Sequence, residues 1–219
     1  MNETMKRKLV TILLERHGRA HSEELGIKIG RNTPSALFRW LMASLLLSAR
    51  IRADVAIRAA RALSDQGWTT AARMAKSTWE QRTRVLNEAG YARYDESTSR
   101  MLEDTTHMLL EHYRGDLRKL REAAGRDPAA ERTLLKEFKG IGDVGVDIFF
   151  REVQTAWGEL RPFADAKALG AARRVGLRDD AAALAALVNQ EDLPRLLAAL
   201  VRADLAKDLD AVAKAASAG

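Results

Sequence analysis

Punctuation is what most limits this sequence. Its 219 residues carry only four prolines and fourteen glycines, and nearly every segment between them repeats apolar residues at three- and four-residue spacing. Such spacing places apolar side chains on one face of a helix, whereas a half-buried strand would alternate them. The expectation is an all-α fold. Pro34 follows Asn32 and Thr33, a capping pair that suits a first helical turn. The helix it opens is apolar on almost every side through Leu37, Phe38, Trp40, Leu41, Met42, Leu45, Leu46 and Leu47, which belongs at the centre of a bundle. Met101, Leu102, Thr105, Met108, Leu109 and His112 form one stripe opposite Arg100, Glu103, Asp104 and Glu111, the pattern of a surface helix with one buried face. Further helices are expected from about 129 to 138, from 144 to 157 and from starts near Asp165, Asp180 and Asp192, roughly ten to twelve in all.

No cysteine occurs, which removes disulfide frameworks, thiolate zinc sites and cysteine-held iron–sulfur clusters and permits a reducing compartment. At 47% hydrophobic and 30% charged, the chain is neither a disordered tail nor a fibrous repeat. Its length suits one large domain or two small lobes, burying roughly 70% of the unfolded surface. The apolar run from Leu41 to Leu47 falls short of the ~20 residues a bilayer needs, and the charged stretch from Met1 to Lys8 has no secretory core behind it. A soluble, cytoplasmic protein with no membrane partner is expected. A net charge of +6 favours polyanions such as nucleic acid, yet it also serves plain solubility. No Gly-, Ser- or Pro-rich linker divides the chain, and the Ala-rich stretch from Ala181 to Ala216 keeps leucines at helical spacing, so it reads as packed helices.

The most informative segment runs from Leu134 to Phe150 and contains Gly140-Ile141-Gly142-Asp143-Val144-Gly145, a literal G-x-G-x-x-G. Dinucleotide binding would need a buried strand before the first glycine and a βαβ unit around it, whereas Leu134, Leu135 and Phe138 are spaced as a helix. The alternative is two helices joined by a tight turn. Gly140 and Gly142 would supply backbone freedom where a Cβ would clash, Ile141 would plug the turn into the core, and the next helix would present its first amides to an anion. Lys136 and Lys139 would add charge without reading sequence. An ordinary helical corner that happens to use two glycines remains an equally simple account of the same residues.

This segment resembles the helix-hairpin-helix of the endonuclease III family of DNA glycosylases, whose pattern is hydrophobic-Pro-Gly-hydrophobic-Gly followed by a helix. Three further stretches agree in order. Leu45-Leu46-Leu47-Ser48-Ala49-Arg50 followed by Asp54 is similar to the family's Leu-Leu-Ser-Ala-Gln, and Gly90-Tyr91-Ala92-Arg93-Tyr94 to its glycine turn and helix. Phe163-Ala164-Asp165-Ala166-Lys167 occupies the place of its Val-Asp-Thr-His. The resemblance spans about residues 5 to 177 and implies two helical lobes with a DNA-binding cleft between them. A six-helix lobe over residues 33–159 would carry the hairpin, and residues 1–32 together with 160–219 would form a second, discontinuous lobe.

The resemblance also implies a chemistry. Cleaving an N-glycosidic bond passes through an oxocarbenium-like sugar, so a carboxylate beside it stabilises positive charge and orients water. Asp165 is the candidate, reached only by a base flipped out of the stack. Taken alone, an Asp before an Ala-rich helix is an N-cap, and the two roles are compatible. Bifunctional relatives attack the sugar with a lysine at the position that Val144 fills here, so the resemblance is to the monofunctional branch. Lys139 and Lys167 are the lysines that could stand in as a relocated lyase amine. The candidate DNA-binding set is Lys139, Gly140, Ile141, Gly142, Val144, Gly145, Arg50 and Lys167, with Arg50 standing where relatives fill the gap left by the extruded nucleotide.

The expected partner is double-stranded DNA carrying a lesion or mismatch, bound by a monomer associated with the nucleoid. No cofactor is expected and the family's cluster cysteines are missing, while hairpin carbonyls from Lys139 to Val144 could hold a monovalent cation. His17 and His21 are four apart but separated by Gly18, a poor zinc geometry. The alternative functions are a catalytically impaired DNA-binding protein of the same fold and a bifunctional glycosylase/AP lyase that uses a relocated lysine.

Overall fold

The computed structural model describes residues 2–218, so Met1 and Gly219, the ends of the expected second lobe, lie outside the described residues. Within that range the regular structure is helical throughout: α1 (Glu3–His17), α2 (His21–Glu24), α3 (Pro34–Ser48), α4 (Ala53–Asp65), α5 (Ala71–Met74), α6 (Trp79–Leu86), α7 (Asp95–Tyr113), α8 (Leu117–Ala123), α9 (Pro128–Lys136), α10 (Asp143–Val153), α11 (Ala166–Arg174), α12 (Ala181–Ala185), α13 (Leu193–Leu205) and α14 (Leu209–Ser217). Fourteen α-helical segments exceed the expected count because α2, α5 and α12 are single turns of four or five residues, too short to leave a period in the sequence. Among the described residues no helix is long and apolar enough to cross a membrane.

Two compact units divide the chain, one of residues 25–149 and one combining 1–24 with 150–219. In the first, Thr33 caps α3 by accepting from the Ala36 amide, and Pro34 takes the first helical position as expected. Ten residues of α3 are buried, the helix packs against α4 and α8, and the Trp40 indole donates to the Phe149 carbonyl at 3.1 Å. Helix α7 buries Leu102, Thr105, Leu109 and Tyr113, while His112, expected on that stripe, is exposed. The next inward position after Leu109 is four residues on, at Tyr113, which keeps the 3.6-residue period. Arg82 of α6 is buried. It donates to the Ser77 carbonyl at 2.7 Å and to Glu103 at 2.6 Å, so its charge is compensated where burial would otherwise be costly.

In the second unit α1 packs on α13 and α14, around a core that includes Leu9, Leu13, Leu196, Leu197, Leu200 and Val212. The Ala-rich stretch is helical and packed as expected, except that Leu205 is exposed. Helix α10 stops at Val153, short of the expected Trp157. Arg161 donates to the carbonyls of Gln154 and Thr155 just past that end, which satisfies groups a longer helix would have used. Trp157 is nevertheless fully buried.

Candidate nucleic-acid interface and carboxylate site

Helix α9 begins at an Asp127 cap and ends at Lys136, and residues 137–142 turn the chain into α10. Ile141 is 3% exposed and its amide donates to the Phe138 carbonyl at 3.0 Å, so this side chain anchors the turn as expected. Gly140 has φ +86°, and a Cβ there would stand 2.7 Å from Met101 Sδ. Both facts demand glycine. Gly142 differs from expectation: its φ is not left-handed, and a Cβ would meet nothing within 4 Å. Neither backbone conformation nor neighbours inside the protein require glycine there.

The first intrahelical bond of α10 runs from the Val146 amide to the Gly142 carbonyl at 3.0 Å, which leaves the amides of Asp143, Val144 and Gly145 ahead of the helix ladder. Gly142, Asp143 and Val144 are exposed, Val144 by 60%. Gly145 is buried beside Ile141 and Ser48, which limits any part it has in an interface to its backbone. Ser48 ends α3, so the loop carrying exposed Arg50 lies beside the start of α10 within the same unit.

Charge on this face is divided. Lys139 is exposed, and its carbonyl accepts from Thr105 Oγ1 at 2.9 Å. Lys136, in contrast, reaches Asp143 at 3.0 Å, and Arg132 reaches Asp143 at 3.5 Å and Asp147 at 2.5 Å. The hydrogen bond from Lys136 and the nearby Arg132 charge hold the Asp143 carboxyl below its ordinary range. Asp143 is not among the residues expected at the site, although an acidic residue on the first turn after the glycines is a recognisable partner for the helix dipole. Of the hairpin carbonyls offered for a cation, those of Lys139 and Gly142 each already accept one internal hydrogen bond.

The carboxylate candidate lies in the other unit. Asp165 is the N-cap of α11: Oδ1 accepts from the amides of Lys167 at 3.0 Å and Ala168 at 3.1 Å. Arg151 Nε donates to Oδ2 at 2.6 Å, and the two side chains are 5% and 2% exposed. Three of the roughly four acceptor positions of a carboxylate are therefore filled from within the protein. The loop before Asp165 is fastened to α10. Gln154 exchanges two hydrogen bonds with the backbone of Phe163, and the rings of Phe150 and Phe163 meet edge to face at 5.4 Å. Lys167 is exposed on the first turn of α11.

Arg151 was missed from sequence. Its signal was a charged pair, Arg151-Glu152, inside the apolar run Phe149 to Val153, where a helix turns some polar side chains inward. Glu152 is likewise buried and accepts the amides of His21 and Ser22 at 3.0 and 2.9 Å. His17 Nε2 lies 2.7 Å from Asp208, and that hydrogen bond, with Arg16, keeps the Asp208 carboxyl below its ordinary range. Among the described residues no cluster of three His, Cys, Asp or Glu could hold a metal ion.

No protein-family model matches the chain, and no curated protein matches it. Its structure is similar to that of a trapped endonuclease III–DNA covalent intermediate, an estranged-adenine complex, at 17% identity and a TM-score of 0.47; the likeness covers 74% of this chain and 71% of that one.

Proposed function

We propose that this chain is a DNA repair glycosylase of the helix-hairpin-helix kind that releases a damaged or mismatched base by hydrolysis and leaves the strand uncut. The observation that carries the proposal is the asymmetry of the hairpin glycines. Gly140 is required by the fold, whereas Gly142 is bare toward solvent, in front of amides that have no helical partner. A phosphate can approach such a backbone closely and accept from it, with Lys139 adding charge and Arg50 reaching from the neighbouring loop. A monovalent cation on the remaining lone pairs of the hairpin carbonyls would strengthen the same grip.

The chemistry is assigned to Asp165. A carboxylate beside the flipped-out nucleoside stabilises the positive charge that develops on the sugar and orients the water that replaces the base. With Val144 at the hairpin-helix start, no amine stands there to form a Schiff base, so water is the nucleophile. Duplexes that each carry one lesion or mismatch, incubated with protein and then with hot alkali, test the assignment. Breaks that appear only after alkali, in at least one duplex, are the expected result; binding without breaks in any duplex contradicts it.

A second reading, a DNA-binding protein of this fold without catalysis, draws on one observation. The Asp165 carboxylate is buried against Arg151 and a helix terminus, where it also has a complete structural role. Equal base release by the protein and its Asp165→Asn variant would leave that structural role as the residue's only one.

A further inference from the structure

We infer that Arg151 is the positioning residue of the carboxylate site: its Nε fixes the plane of the Asp165 carboxylate, so that a single acceptor position on Oδ2 is left for water. The inference rests on the assignment of Asp165 made above. Oδ1 is committed twice, to the amides of Lys167 and Ala168, and Oδ2 once, to Arg151, which leaves one of about four positions. A cap alone would hold Oδ1 and let the group pivot about it. The guanidinium contact supplies a second, short and charge-assisted point of attachment, and two held oxygens together with the Cβ define the plane.

Arg151 is itself held. It is 4% exposed on α10, and the same helix end is bound to the Asp165 loop through the Gln154–Phe163 hydrogen bonds and the Phe150–Phe163 ring contact. The carboxylate is therefore held from two helices, by α11 through Oδ1 and by α10 through Oδ2. A salt bridge serving stability alone would be replaceable by an apolar pair of similar volume, whereas one that aims a reacting oxygen would not. Arginine also differs from lysine here, because only a planar guanidinium offers Nε in a fixed direction.

The test is a double-mutant cycle on the single-turnover rate of base release from the duplex on which the protein is most active. It compares the unmodified protein, Arg151→Met, Asp165→Asn and the double variant, each assayed well below its own melting temperature and alongside its DNA affinity. Gln154→Ala, which loosens the same loop without touching the carboxylate, reports what structural loosening does by itself. Positioning predicts that Arg151→Met slows release by about tenfold or more with DNA affinity unchanged, and that it adds nothing in the Asp165→Asn background. Arg151→Lys should recover only part of the rate, and Gln154→Ala should slow release far less. A rate loss from Arg151→Met that is the same in both backgrounds, or is matched by Gln154→Ala, overturns the positioning role while leaving Asp165 catalytic. Where Arg151→Met does not fold, full activity in Arg151→Lys overturns it. An unmodified protein that releases no base removes the assignment of Asp165 and this inference with it.

Discussion

Gly140 and Met101 stand so close that a single added carbon on the glycine would lie 2.7 Å from the methionine sulfur. With φ +86° at the same residue, a side chain there would strain the turn between α9 and α10. Gly140→Ala should therefore lower stability by about 1–3 kcal/mol, read as a fall in denaturant midpoint at constant slope. Unchanged stability would mean that the turn adopts another conformation.

Gly142 predicts the opposite pair of results. With open space around its Cβ position and no left-handed φ, Gly142→Val should leave the melting temperature close to that of the unmodified protein. If a phosphate approaches this backbone, the same substitution should weaken binding to every duplex alike, and fluorescence titration with unrelated sequences checks this. Loss confined to one sequence would contradict a backbone contact.

Asp143 spends positive charge that DNA could use. It pairs with Lys136 and lies near Arg132 at the start of α10. Asp143→Asn should tighten DNA binding and steepen its salt dependence by about one phosphate contact in a plot of log affinity against log salt. No change in slope would place these side chains away from the backbone of the duplex.

Much of this arrangement can be read from sequence, and the part that cannot has a common cause. Thr33 and Pro34 announce α3, Ile141 announces its own burial and the leucines past residue 181 announce packed helices, because each follows from local chemistry or a regular period. The different duties of Gly140 and Gly142 were illegible, since the distinction depends on Met101, which comes from α7. Arg151 was illegible for the same reason: a charged residue in an apolar helix declares itself buried only once its partner, fourteen residues on, is known. The α10 end point is illegible for the same reason, since Arg161, beyond the helix, takes the carbonyls of Gln154 and Thr155 just past its end.

Tyr91 offers a pH test of the hairpin-bearing unit. Its hydroxyl donates to the Leu46 carbonyl at 2.9 Å inside the core, and burial pushes its pKa up to about 12 from 10.0. The raised value means the folded protein holds this proton more tightly than the unfolded chain. Its stabilising contribution is therefore complete below pH 10 and is lost as pH rises from there toward 12. Alkaline unfolding followed by phenolate absorbance should show one tyrosine ionising last, together with loss of structure. In Tyr91→Phe the alkaline limb should flatten while stability near neutral pH falls by about 1 kcal/mol for the lost hydrogen bond. An unchanged alkaline limb would contradict the burial.

The most direct measurement is chromatographic detection of free base released from lesion-bearing duplex by the unmodified protein and by Asp165→Asn, at protein concentrations that saturate DNA binding in both. If Asp165 carries the chemistry, the unmodified protein yields free base, the variant loses release by about a hundredfold or more, and DNA affinity is equal. Equal release by both proteins, or release by neither, would contradict that role.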